Sequence, residues 1–349
     1  MSLKPSPTRL GGEVRVPGSV ANLGGGFDTL GVAVQLYLRA RIVEVRDDGG
    51  TKLVVTRSLP AVTGENALER AFAAVAARTG LRTPTVFVEV ASDVPMAAGL
   101  GSSAAATVAG LRIFEAVTAP LPDGVLLGAA TAVEGHADNA APALFGGLTS
   151  VLEPDGREPI ALPWPWPAHL RLVVGTPAVG LATAKARAAL PDTLPRRDAI
   201  FNLQRVLALV HALQHGELDR LREAVRDRWH QPARASLVPL LDEVLRLDDP
   251  QVLGAFLSGA GPSVALLAHG ETAGVERLLA SMYDRAGIAA TVRTLAVHHG
   301  SSALASATPG QDIDADGSAP SELADVTDAA ASAHGRNAAE AFRQTGRTL

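Results

Sequence analysis

Residues 95–106 read Pro95-Met96-Ala97-Ala98-Gly99-Leu100-Gly101-Ser102-Ser103-Ala104-Ala105-Ala106. Before them, Thr85-Val-Phe-Val-Glu-Val-Ala91 has the composition and alternation of a strand. After them an alanine-rich run carries a helix to about Val117. A strand thus feeds a glycine-rich loop that opens a helix. The unpaired N–H groups of a helix start point at one spot, and the dipole favours an anion there. Gly99 and Gly101 allow close backbone approach, and the Ser102 and Ser103 hydroxyls suit phosphate oxygens or a hard cation such as Mg²⁺. The plainer reading is a loop whose serine caps a helix. No Gly-Lys-Ser/Thr follows, so the loop is not a Walker A motif. Gly99-Leu-Gly101-Ser-Ser-Ala104 formally fits the dinucleotide pattern, but Pro120, Pro122 and a further helix follow where a strand ending in an acid is needed. A dinucleotide-dependent oxidoreductase is therefore the weaker alternative.

Working outward, strands are expected at 13–17 and 38–46, with 52–56 pairing to the latter across Asp47-Asp48-Gly49-Gly50. Helices are expected at 65–79 and 123–134, and a strand at 146–152. Five prolines between 153 and 168 oppose regular structure and mark a boundary. Beyond it come strands at 170–175, 253–257, 262–268 and 288–297, and helices at 181–190, 197–214, 217–229, 237–247 and 272–286. From Gly300 the apolar periodicity vanishes; 300–332 reads as disordered, with a short helix near 336–344.

The chain has 349 residues, 47% of them apolar and 19% charged, which supplies a core and suits two domains at about 150 residues each. A formal charge of −5 argues against nucleic acid as the main partner. The absence of cysteine excludes disulfides, thiolate metal sites and cysteine nucleophiles. There is neither an apolar leader at Met1–Pro5 nor an unbroken apolar run of about 18 residues, so a cytoplasmic protein without membrane contact is expected.

Three further segments carry polar chemistry. Asn22-Leu-Gly-Gly-Gly-Phe-Asp28 places an amide and a carboxylate around three glycines. Glu134-Gly-His136-Ala-Asp138-Asn139 offers oxygen ligands for Mg²⁺, or ordinary helix caps; one histidine makes zinc a poor fit. Leu257-Ser258-Gly259-Ala260-Gly261-Pro262-Ser263-Val264 alone is a tight hairpin.

In this order and spacing, the segments resemble the GHMP kinase superfamily over about residues 10–300. Residues 95–106 look like its nucleotide phosphate loop, and 258–264 like its third motif, which supports that loop. Asn22–Asp28, Glu134–Gly147, Thr183-Ala-Lys185-Ala-Arg187 and Pro232-Ala-Arg234 are similar to the homoserine kinase branch. The resemblance implies an α+β chain of two domains, an S5-like N-terminal nucleotide-binding domain over 10–160 and a ferredoxin-like C-terminal domain over 168–299, followed by a disordered tail at 300–349. It implies an ATP-dependent, Mg²⁺-assisted transfer to the hydroxyl of L-homoserine in threonine biosynthesis. A non-catalytic sensor and another GHMP small-molecule kinase are the alternatives, and a homodimer is left open. By the same resemblance Asn22, Asp28, His136, Asn139, Arg187 and Arg234 bind substrate, while Asn139, Thr183 and Arg187 act in catalysis. Ser103 and Glu134 hold the metal. Asn66, Pro95, Met96, Ala97, Ala98, Gly99, Leu100, Gly101, Ser102, Ser103, Ala104, Ala105, Gly259 and Gly261 surround the nucleotide. Ala137 stands where many relatives carry proline.

Overall fold

The computed structural model describes residues 11–62 and 66–305. In chain order the strands and α-helices are β1 (Glu13–Ala21), β2 (Leu30–Arg46), β3 (Lys52–Leu59), α1 (Ala67–Thr79), β4 (Thr85–Ser92), α2 (Ser102–Val117), α3 (Asp123–Glu134), α4 (Ala140–Phe145), β5 (Leu148–Leu152), β6 (Ile160–Trp164) and β7 (Leu170–Pro177). Then follow α5 (Thr183–Ala188), α6 (Arg196–His215), α7 (Leu221–Ala224), α8 (His230–Arg234), α9 (Leu241–Leu245), β8 (Gly254–Leu257), β9 (Val264–His269), α10 (Ala273–Arg285), β10 (Ala290–Leu295) and β11 (Ala303–Ala305).

Two sheets organise these elements. The first runs β11-β1-β2-β4-β3, with β5 on the far end of the long β2 and β6 beyond β5. The second has order β10-β7-β9-β8, antiparallel throughout. Numbered within itself, that is 4-1-3-2, with helices between β7 and β8 and between β9 and β10 and a hairpin between β8 and β9, which is the ferredoxin-like order. Helix α2 is central to the first layer: Ala104, Ala105, Val108, Leu111 and Phe114 are all buried. Small residues at its start let it lie close to neighbouring backbone. A second apolar cluster joins both sheets, with Val20, Val32 and Val34 from one and Leu170, Leu172 and Val174 from the other.

Several expectations need correction. Strand β3 does not form a hairpin with β2; β4 lies between them, and β3 pairs with β4 in parallel. The buried valines of β4 (Val86, Val88, Val90) claim the central position, and the more polar β3 goes to the edge. The proline-rich stretch contains strand β6, which among the described residues pairs only with β5, and an edge strand tolerates Pro163 without its N–H. The helix expected at 217–229 is one 3₁₀ turn plus the four-residue α7. Gly300 is not where structure stops, since Ala303–Ala305 pairs antiparallel with β1 and Ser302 is buried. A short edge strand needs no apolar periodicity, because its ladder supplies the bonds. The remainder of the expected tail, including the helix near 336–344, lies outside the described residues.

Candidate active site

An open cleft, about 660 Å³ when the solvent space at its mouth is included, collects residues from six separated segments of the chain. At one end lies the glycine-rich loop. Gly99 and Gly101 have φ of 75° and 71°. A Cβ on Gly99 would stand 2.3 Å from Ser258 O, and one on Gly101 2.1 Å from Ser19 Oγ. Both glycines are therefore demanded by the protein's own packing as well as by any ligand. The 258–264 hairpin props the loop from below: Ser258 Oγ donates to Gly99 O at 2.6 Å and Ser263 N to Ala98 O at 3.2 Å. Gly101 begins α2 with no side-chain cap, so the N–H groups of its first turn remain available at the cleft. Ser102, Ser103 and Ala104 line the cleft.

Across from this helix start stands Glu134, the last residue of α3, delivered there because Gly135 terminates the helix with φ 79°. Ser103 Oγ donates to Glu134 Oε1 at 2.8 Å. Two hard oxygen donors thus meet beside the N–H groups that would hold phosphate. Asp28, His136 and Asp138 form a second group whose ligand atoms lie within 4.8 Å of one another. There the Asp28 carboxylate already carries the Arg187 guanidinium.

The opposite end is built from side chains. Arg187, on α5, grips Asp28 with two bonds of 2.9 and 2.8 Å, and this pair is about one-third exposed. The Asp28 carboxylate raises the Arg187 pKa further, against the opposing pull of burial. Arg234, on α8, is 1% exposed. It donates to Ala186 O and Gly259 O, each at 3.1 Å, and to His230 Nδ1 at 3.2 Å. Since Nδ1 accepts from a guanidinium, His230 is neutral and donates its Nε2 proton to Gly24 O at 2.8 Å. Burial likewise lowers the His230 pKa. The Phe27 ring lies 5.7 Å from Arg187 Cζ and 5.3 Å from Arg234 Cζ, linking the two cations.

His136 Nδ1 meets the buried Asp138 at 2.6 Å. Burial alone would lower the His136 pKa, but the hydrogen bond and charge of Asp138 prevail and raise it. Asn139 makes no helix cap; its Nδ2 donates to Asp138 and its Oδ1 accepts from Ser19. Asn22, φ 75°, is similarly occupied: its Nδ2 donates to Gly259 O and its Oδ1 accepts from Asp28 N. Its amide is a strut of the 22–28 loop before it can be a ligand group.

Comparisons with known proteins identify the family. The model "GHMP kinases N terminal domain" matches residues 66–147, and "GHMP kinases C terminal" matches 209–285. A curated homoserine kinase of Deinococcus radiodurans is 40% identical over 284 residues, 80% of this chain and 92% of that protein. One from Thermus thermophilus is 40% identical over 271 residues, 76% and 90% of the two chains. The chain belongs to the homoserine kinase family of the GHMP kinases. The crystal structure of homoserine kinase from Cytophaga hutchinsonii superposes with a TM-score of 0.75 at 26% identity, covering 87% of this chain and all of that one. As in any kinase of this family, ATP is the co-substrate. No helix among the described residues is long and apolar enough to cross a membrane.

Not every residue expected at this GHMP kinase site borders the cleft. Asn66 caps α1, accepting from Leu68 N at 3.0 Å. Leu100 and Ala105 face the core, and Met96 borders a neighbouring groove. Gly261 shapes the supporting hairpin rather than the cleft wall. Conversely, Phe27, His230 and Thr107 were not expected at the site, and Asp138 was read only as an oxygen ligand or helix cap of the 134–139 segment. For His230 the local signal was its i,i+4 spacing to Arg234 on one helix face.

Proposed function

We propose that this protein transfers the γ-phosphate of ATP to the hydroxyl of L-homoserine, giving O-phospho-L-homoserine. The observation that carries this reading is one cleft with a phosphate-accepting helix start at one end and the Asp28–Arg187 pair at the other. Homoserine is a zwitterion, and the resting pair already holds one charge of each sign. On binding, the substrate ammonium takes Asp28 while its carboxylate takes Arg187, whose planar fork suits two-point recognition. A ligand with only one of these charges leaves a partner unmatched, which favours amino acids over simple alcohols. Buried Arg234 adds positive potential next to Arg187. His136, held by Asp138, and Thr183 close the substrate side, and Asn139 orients the hydroxyl towards the helix start.

Ser103 and Glu134 fit Mg²⁺ in donor type and placement. These two residues would hold the ion, which would supply positive charge against the phosphate oxygens of the nucleotide. The α2 N–H groups stabilise the same oxygens from the other side, and in-line attack by the substrate hydroxyl needs mainly this positioning.

The test is ADP formation by the purified chain with Mg-ATP and L-homoserine. Binding of both ligands without turnover would instead make it a sensor. Ser103→Ala and Glu134→Ala should each lower kcat more than they weaken homoserine binding, and near-wild-type kcat in both would sink the metal assignment.

A further inference from the structure

Glu134 Oε1 accepts two hydroxyl groups, Ser103 Oγ at 2.8 Å and Thr107 Oγ1 at 2.6 Å, while Oε2 accepts none among the described residues. The two donors lie one turn apart on α2, yet their surroundings differ. Ser103 is exposed and borders the cleft; Thr107 is fully buried. Glu134 is the only hydrogen-bond partner of the Thr107 hydroxyl among the described residues, and that hydroxyl does not bond back to its own helix. Packing alone would be served by valine, which has nearly the same shape without the cost of a buried hydroxyl.

We propose that Thr107 is a positioning residue for the metal-facing carboxylate. Its hydroxyl anchors Oε1 and sets the plane of the Glu134 carboxylate, leaving Oε2 as the oxygen for the cation. When the Ser103 hydroxyl turns to the metal, Thr107 remains as the donor that keeps Glu134 in place. Outer donors of this kind orient ligands that would otherwise rotate. The inference rests on the reading of Ser103 and Glu134 as cation ligands.

The readout is the coupling between metal and nucleotide, measured without turnover. Calorimetry on the full chain gives the Kd of ADP with excess Mg²⁺ and with EDTA. Thr107→Val should lose roughly 10-fold of the Mg²⁺-dependent tightening, the order expected for an outer-shell partner, with the EDTA value unchanged. Thr107→Ser should restore it. Full tightening in Thr107→Val overturns the proposal, and so does a loss in Thr107→Ser as large as in Thr107→Val, because the methyl rather than the hydroxyl would then matter. If Thr107→Val does not fold, Thr107→Ser against Thr107→Ala isolates the hydroxyl, and equal tightening in that pair overturns the proposal. Glu134→Gln separates the two levels. If it keeps the tightening, the metal reading falls and the role of Thr107 falls with it. If it loses the tightening while Thr107→Val keeps it, only the role of Thr107 falls.

Discussion

In the proposed reading, the two ends of the cleft recognise charge by different means. The phosphate end offers backbone: N–H groups of the first turn of α2, shaped by glycines at positive φ. The substrate end offers side chains that meet across long stretches of sequence, 159 residues in the case of Asp28 and Arg187. Within the substrate end the two arginines differ again. Arg187 is about one-third exposed and neutralised by a carboxylate, whereas Arg234 is buried against two carbonyl oxygens and a neutral histidine. Similar residue types thus have different duties: Arg187 is available for exchange with a ligand, and Arg234 is also part of the frame.

That contrast is breakable. The largest effect is expected for Arg234→Ala, which opens a buried cavity, takes the guanidinium from Ala186 O and His230 Nδ1, and leaves Gly259 O with only the Asn22 Nδ2 donor. It should cost about 3–5 kcal/mol of stability, seen in denaturant unfolding, along with most of the activity. Stability like that of wild type would show Arg234 to be a pure ligand group. Arg187→Ala should lower kcat/KM for homoserine by roughly 10- to 150-fold through lost charge-assisted bonds. Its stability should change by less than about 1 kcal/mol, since a solvent-screened ion pair contributes little. The KM for ATP should barely move, and Arg187→Lys should rescue only in part. If both arginine variants left homoserine kinetics intact, the substrate would not be an amino acid held as proposed.

A smaller effect concerns the chain end. A chain stopping at His299 loses β11 and the Ser302 bonds to Leu144 O and Arg112. It should be less stable than one stopping at Ala305 by about 1–2 kcal/mol; equal melting temperatures would show that β11 contributes nothing. The smallest effect is in pH dependence. Folded His136 holds its proton more tightly than the ordinary value of 6.5. The His136–Asp138 pair therefore stabilises fully below pH 6.5, and its contribution fades as pH rises through the raised folded pKa. The stability difference between wild type and His136→Asn should shrink across that window. A difference that stays constant would mean the histidine does not titrate there.

The phosphate end was legible because it is local. Strand, glycine-rich loop and helix start occupy one run from Thr85 to Val117, and conformational demands made within such a run appear as glycine, serine and alanine. The periodic helices α2, α3, α6 and α10 were legible for the same reason. What the sequence could not show was partnership. Nothing near Asp28 announces that Arg187 will occupy its carboxylate, and nothing near Thr107 points to Glu134. Asn22 and Asn66 read as ligand groups, yet each amide is engaged by nearby backbone. The same holds for strands: β3 has ample β character, but whether it pairs with β2 or β4 depends on which strand best buries its valines. Local conformation was decided by backbone dihedrals and side-chain periodicity, which neighbours in sequence control. Pairing, burial and the charge state of His230 were decided by contacts across the chain, which exist only once the two sheets share a core.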